Sequence, residues 1–195
     1  MLWQFRTMCV QTVLRRTLVI WTETGKLLRQ TTVQGYSDDS CWSRGQAWAI
    51  YGFTLAAERT WRADTVRAAE ATADYFLAHL PADYVPYWDF VLPSYQNEPR
   101  DSSAAAIAAS GLLELAQFEP DVARRQRYWE GALNILESLT MNYIDWEHPD
   151  ADGILLHGCS NRPAGVSVDE SLIWGDYYYV EAMMRLAWSA DQTGG

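Results

Sequence analysis

The chain has no run of eighteen or so apolar residues, so no segment of it reads as a transmembrane helix. It is poor in cysteine: Cys9, Cys41 and Cys159 stand far apart with no CxxC spacing. Neither a disulfide framework nor a zinc site is indicated, and buried or idle thiols in a reducing compartment are expected. His79, His148 and His157 show no metal-ligand spacing either, so no metal and no cofactor is expected. Positive charge is also scarce, with 15 Lys and Arg against 25 Asp and Glu and a net charge of −10. That argues against nucleic acid and against an anionic membrane surface, since each demands a basic patch. An anionic substrate must then be caught by a few local cations, with Arg44, Arg100 and Arg162 as candidates. The N-terminus, MLWQFRTMCVQTVLRRTLVIW, lacks a clean apolar h-region and a small-residue cleavage site. A cytoplasmic location is the expectation.

What the chain does have is aromatic surface: 10 Trp and 11 Tyr in 195 residues. Rings at that density suit stacking on carbohydrate, and large helical cores use them as well. The remaining composition, 49% hydrophobic and 21% charged, is ordinary for one globular domain with a sizeable core.

The chemistry concentrates in Gln34 to Phe53, QGYSDDSCWSRGQAWAIYGF. Asp38, Asp39 and Ser40 are the residue types that accept from free N–H groups at a helix start, which predicts a helix from Asp39 or Ser40 to about Glu58. Arg44, Trp48, Tyr51 and Leu55 then form one stripe, with Trp42, Gln46, Ala49 and Phe53 beside it. A guanidinium fork holds a carboxylate with two hydrogen bonds, and an indole offers a flat face to a sugar ring. Two arrangements satisfy these residues: a pocket for an acidic sugar, or Arg44 paired with Asp38 or Asp39 among core tryptophans.

Four further helices are predicted. Asp64–Leu80 carries an apolar stripe stopped by Pro81. Asp101 or Ser102 caps a third helix to Phe118, whose Ala, Ser and Gly permit close helix approach; for Asp101, capping is favoured over a catalytic role on position alone. A fourth runs over Asp121–Thr140, and the last over Asp169–Ser189 is apolar nearly all round, as a buried element would be. Within it, Asp176 must find donors, with a tyrosine hydroxyl or a helix start expected. The intervening segments are expected to be loops: a polar run over 23–32, a proline-pinned one over 81–100 that carries Trp88 and Asp89, and a long one over 141–168. DADG in the last of these is taken as a turn, since the other positions of a calcium loop are missing. The fold class is all-α.

The run from Gln34 to Trp48, with VPYWDF at Val85–Phe90, RDSSAAAIAASGLLEL at Arg100–Leu115 and SLIWGDYYYVEAMMRL at Ser171–Leu186, resembles the unsaturated glucuronyl hydrolases, glycoside hydrolase family 88. The resemblance covers roughly residues 22–190 and the C-terminal half of the family's pattern. It implies a partial α/α toroid, about half of the full barrel, with residues 1–21 a divergent segment of unknown role and 22–195 the toroid portion. It implies release of a 4,5-unsaturated uronic acid from oligosaccharides by hydration of the vinyl ether bond, where an Asp protonates one carbon and helps water attack the next. By that likeness Arg44 holds the uronate carboxylate, Trp42 and Trp48 wall the pocket, and Gln34 hydrogen-bonds the sugar. Ser160 and Asn161 lie in a loop reaching toward the second sugar.

The same likeness carries two departures. A His commonly precedes the family's Gln-Gly pair, where this chain has Val33. The family's two key Asp residues precede the Gln-Gly-Tyr motif, a region without counterpart here, so the catalytic acid is unassigned; residues 1–21 hold no Asp. Two other classes stay open: an inactive carbohydrate-binding fragment, and a helical self-association module built on the apolar surface of an open half-toroid.

Overall fold

The computed structural model describes residues 18–193. The divergent segment expected over 1–21, Cys9 included, therefore lies outside the described residues except for its last four. A hairpin opens the described chain, β1 (Leu18–Trp21) pairing antiparallel with β2 (Leu27–Thr31). Helices α1 (Ser43–Thr60), α2 (Ala63–Ala78), α3 (Ser102–Phe118) and α4 (Val122–Asn142) follow. A second antiparallel hairpin, β3 (Gly158–Asn161) with β4 (Val166–Glu170), leads into α5 (Ile173–Thr193). Helix dominates as expected, but the runs over 23–32 and 141–168 are not plain loops. The first hides β2, whose partner β1 lies just before it, and the second hides β3 and the start of β4, strands of four or five residues that are too short to build a readable alternation.

The helices form two layers. Helix α3 lies between α1 and α5, while α2 packs on α1 and α4 packs on α3. From Ser102 to Leu113 every residue of α3 is buried, and it supplies the centre of the core with Ile107, Leu112 and Leu113. Small residues bring it close to its neighbours. A Cβ on Gly111 would stand 3.0 Å from the Tyr51 Cα, so α1 and α3 meet backbone to backbone there.

Two helix starts follow their capping residues: the Asp101 side chain accepts from Ala104 N and that of Asp121 from Arg124 N. Helix α1 does not. It begins at Ser43 rather than Asp39 or Ser40, because Asp38 turns away to accept from Thr31 Oγ1 at 2.6 Å and Thr32 N at 2.9 Å. The Ser43 N–H instead reaches the Trp88 carbonyl at 3.1 Å. Its inward stripe is Ser43, Ala47, Ile50, Thr54 and Ala57, which leaves Trp48 and Tyr51 on the side toward α5. Helix α5 starts at Ile173, not Asp169, since Asp169 is held in β4. Nor is it buried nearly all round: Ile173, Tyr177, Val180, Met184 and Trp188 make an exposed apolar stripe along it. Asp176 finds a backbone donor, Leu155 N at 2.9 Å, in place of a tyrosine or a helix start.

Candidate functional site

The starts of α1, α3 and α5 converge at one end of the bundle, and β3 crosses them. Three sets of hydrogen bonds hold them there. The loop 81–101 is knitted to the segment before α1 by Asp89, a fully buried carboxylate accepting from Tyr36 N, Cys41 N, Val91 N and Ser40 Oγ at 2.7 to 3.1 Å. That loop is itself closed by Asp101 N donating to Pro86 O at 2.9 Å. Helix α3 then takes hold of β3 through Ser102 N, which donates to His157 O at 3.1 Å. Asp89 is thus a structural staple, with its buried carboxylate satisfied by donors on both sides of the junction.

Arg44 lies at the centre, 2% exposed. Its Nη1 donates to Asp101 Oδ2 at 2.9 Å, to the Cys159 carbonyl at 2.6 Å and to Ser103 Oγ at 3.4 Å; its Nη2 donates to the Ser160 carbonyl at 2.5 Å. The guanidinium carbon stands 4.8 Å from the Trp42 ring centroid and 5.4 Å from that of Trp174. A delocalised cation between two indole faces is favoured by the ring quadrupoles, and more so out of water. The pairing of Arg44 with Asp38 or Asp39 is therefore corrected: its carboxylate partner is Asp101, while Asp38 bonds Arg29 at 3.3 Å. Neighbours in sequence lost to a residue 57 positions away because a buried cation needs a partner buried with it.

The other candidates gather around this pair. Gln34 Nε2 donates to the Ser160 carbonyl at 3.0 Å, so Gln34 and Arg44 grip one oxygen of β3. Trp42 is buried, and Trp48, one turn beyond Arg44 on α1, is 36% exposed and meets Tyr178 edge-on at 5.1 Å. Asn161 lies next to Ser160 in β3, its Oδ1 accepting from Ala164 N at 3.2 Å to shape the hairpin turn. Gln34, Trp42, Arg44 and Ser160 are thus brought together; Trp48 and Asn161 border them. Sequence reasoning missed Trp174, Ser103 and Asp101 as members of the cluster. The Trp174 indole N–H donates to Ser103 Oγ at 3.2 Å, 71 residues away, a separation no local periodicity registers.

Electrostatically the cluster is balanced and buried. Burial pushes the Cys159 thiol up to about 12, with the Asp101 charge adding to the effect, so it is a neutral packing group and not a nucleophile. Further along the α1–α5 seam, burial and then Glu181 hold the Tyr51 hydroxyl up at about 12; it donates to Glu181 Oε1 at 3.1 Å. Among the described residues no group of three or more His, Cys, Asp or Glu side chains gathers as a metal site, and no helix is long and apolar enough to cross a membrane. The arrangement offers a buried positive charge, indole walls and an amide donor, the parts needed to orient an acidic ring.

No protein-family model matches the chain. Among curated relatives, the unsaturated glucuronyl hydrolase of Bacillus sp. strain GL1 is 43% identical over 165 residues, covering 84% of this chain and 44% of that protein. The unsaturated chondroitin disaccharide hydrolase of Streptococcus pneumoniae is 40% identical over 164 residues, 84% of this chain and 41% of that one. The chain thus spans about half the length of the curated relatives it matches. Among solved structures, the Bacillus sp. GL1 unsaturated glucuronyl hydrolase superposes with a TM-score of 0.85 at 38% identity, over 93% of this chain and 50% of that one. An unsaturated glucuronyl hydrolase specific for heparin gives 0.84 at 34% identity, over 89% of this chain and 47% of that one. A variant of the Streptococcus agalactiae enzyme complexed with dGlcA-GalNAc6S gives 0.77 at 39% identity, over 87% and 45%. The helical layers correspond to about half of that α/α toroid.

Proposed function

Because this chain is a homologue of the unsaturated glucuronyl hydrolases over about half of their length, we propose that it forms part of a glycoside hydrolase that releases a 4,5-unsaturated uronic acid from oligosaccharides by hydrating the vinyl ether bond. The observation that carries the proposal is the Arg44 guanidinium held between Trp42 and Trp174, with Gln34 sharing its grip on the Ser160 carbonyl. The guanidinium is a fork of donors beside two indole faces, the groups that bind a carboxylate and stack on a sugar ring, and it attracts the uronate by giving up a carbonyl contact for a carboxylate one. Gln34 supplies an amide donor to the sugar, Trp42 and Trp48 pack against its ring, and Ser160 and Asn161 face the second residue of the oligosaccharide. The uronate carboxylate competes for Arg44 with the Ser160 carbonyl, the acceptor least tied to the buried ion pair.

Asp101 is fully buried and committed to Arg44, so it does not serve as the acid that protonates the double bond. That acid belongs to the half of the fold the chain does not span. The cluster as described is a binding half-site, and the chain by itself binds without turnover. A cytoplasmic setting is part of this reading, and the buried thiol of Cys159 suits it. The test mixes the folded chain with an unsaturated glucuronyl disaccharide, with calorimetry for binding and loss of the conjugated-bond ultraviolet absorbance for turnover. Binding that weakens about tenfold or more in Arg44→Ala or Gln34→Ala, with absorbance unchanged, is the expected result. No heat of binding from a folded, helical sample would overturn it.

A second reading has its own observation, the exposed stripe of Ile173, Tyr177, Val180, Met184 and Trp188 on α5. Apolar surface of that extent supports a helical self-association module, with the stripe as its face. A single species of monomer mass in light scattering would remove it.

A further inference from the structure

We infer that Asp101 is the positioning residue of this site: its carboxylate sets the Arg44 guanidinium between the two indoles and ties β3 to the starts of α1 and α3. The inference deepens the binding reading above and rests on it.

Position alone makes Asp101 an N-cap, and the structure keeps that role but makes it the least of what the side chain does. The Asp101 Oδ1 contact to Ala104 N is 3.4 Å long, and the same N–H already donates to the Asp101 backbone carbonyl at 3.1 Å. The cap is therefore shared and weak. The other contacts point away from α3's own backbone. Oδ2 accepts from Arg44 Nη1 at 2.9 Å; Oδ1 accepts from Ser103 Oγ at 2.5 Å and from Cys159 N at 3.3 Å. Ser103 Oγ in turn accepts from Trp174 Nε1 at 3.2 Å. One fully buried carboxylate thus reaches α1 through Arg44, β3 through Cys159 and, by way of one hydroxyl, the indole of α5.

The chemistry explains why a charge is used. A guanidinium out of water needs a counter-ion at short range, and a carboxylate accepting from several donors is the acceptor that fixes its orientation most tightly. An apolar residue could pack the same space, and buried ion pairs are often no more stabilising than that. What a carboxylate adds is geometry: with Nη1 pinned on Asp101 and the Cys159 carbonyl, Nη2 is aimed along the Ser160 carbonyl. That is the direction from which a ligand carboxylate would approach.

The experiment compares Asp101→Asn with Asp101→Ala. Asparagine caps as well as aspartate, so Asn retains the cap while it removes the charge and sets an amide donor where Oδ2 accepts from Arg44, whereas Ala removes the cap as well. Expected for Asp101→Asn are unchanged far-ultraviolet helicity, an altered near-ultraviolet dichroism from Trp42 and Trp174, and an affinity for the unsaturated glucuronyl disaccharide lower by about tenfold or more. A variant with wild-type affinity and spectrum, beside an Asp101→Ala chain that loses only stability, would reduce Asp101 to a cap and overturn the inference. A double-mutant cycle of Asp101→Asn with Arg44→Met, read by denaturant unfolding, measures the pairing without any ligand. If wild type fails to bind the disaccharide while the near-ultraviolet change and the coupling persist, the binding reading has failed and Asp101 still orients Arg44. Absence of both sinks the positioning role whatever the ligand. Should Asp101→Asn not fold, Ser103→Ala, which removes the bridge to Trp174, must shift the indole spectrum; an unchanged spectrum counts against the inference.

Discussion

Helices α3 and α5 are written in much the same alphabet and end in opposite surroundings. Both are apolar over most of their circumference, yet from Ser102 to Leu113 α3 has no exposed residue, while α5 presents Ile173 at 76%, Met184 at 67% and Trp188 at 69% exposure. The difference is in their neighbours. Helix α3 is covered by α1, α4 and α5 together, whereas α5 is covered mainly by α3. A helix apolar all round declares that it needs partners on all sides. It does not declare which of them are present, and that is why the expectation of a buried last helix failed on one face.

Deleting core volume tests the contrast most strongly. Leu112 is fully buried at the centre of α3, and Leu112→Ala is expected to lower the unfolding free energy by about 2–5 kcal/mol in a denaturant titration. A loss below about 1 kcal/mol would mean that α3 is packed no better than the exposed side of α5.

Alkali sharpens the comparison at the site end. Burial raises the Cys159 thiol from 9.0 to about 12, so the unfolded chain releases this proton while the folded one still holds it. The folded chain then binds more protons in that interval, and stability falls as pH rises. The contribution is fully present below pH 9 and is lost progressively toward pH 12, with Tyr51, raised to about 12, falling in the same direction. Unfolding followed against pH should show this decline, shallower in Cys159→Ala; an identical slope in the variant would remove Cys159 as a source.

The smallest effect is expected where α5 faces outward. Met184→Lys should change the unfolding free energy by no more than about 0.5 kcal/mol. The same change should weaken any self-association seen in sedimentation. A large stability loss in a monomeric sample would show the stripe to be covered by this chain itself.

The helices were legible wherever the information is local. Over 64–80, 102–118 and 121–140 the apolar recurrence, the stopping proline and the caps Asp101 and Asp121 gave boundaries close to those found. The start of α1 was not, because Asp38 and Asp39 are good caps that the tertiary structure does not use as such: Asp38 is spent on Thr31 and Thr32, and the Trp88 carbonyl satisfies the helix instead. The two hairpins escaped for want of length.

The sequence by itself determined that this chain is helical and that its Arg- and Trp-rich stretch lies in Gln34 to Trp48. Those properties follow from residue type, spacing and likeness, which are all written along the chain. Only the tertiary structure decided that Asp101 rather than Asp38 or Asp39 neutralises Arg44, that Trp174 closes the second side of the guanidinium, and that α5 keeps an open face. The physical reason is common to all three. A buried charge takes the partner with which it can leave water, and an apolar face is covered by whatever packs beside it, and neither choice is made between neighbours in sequence.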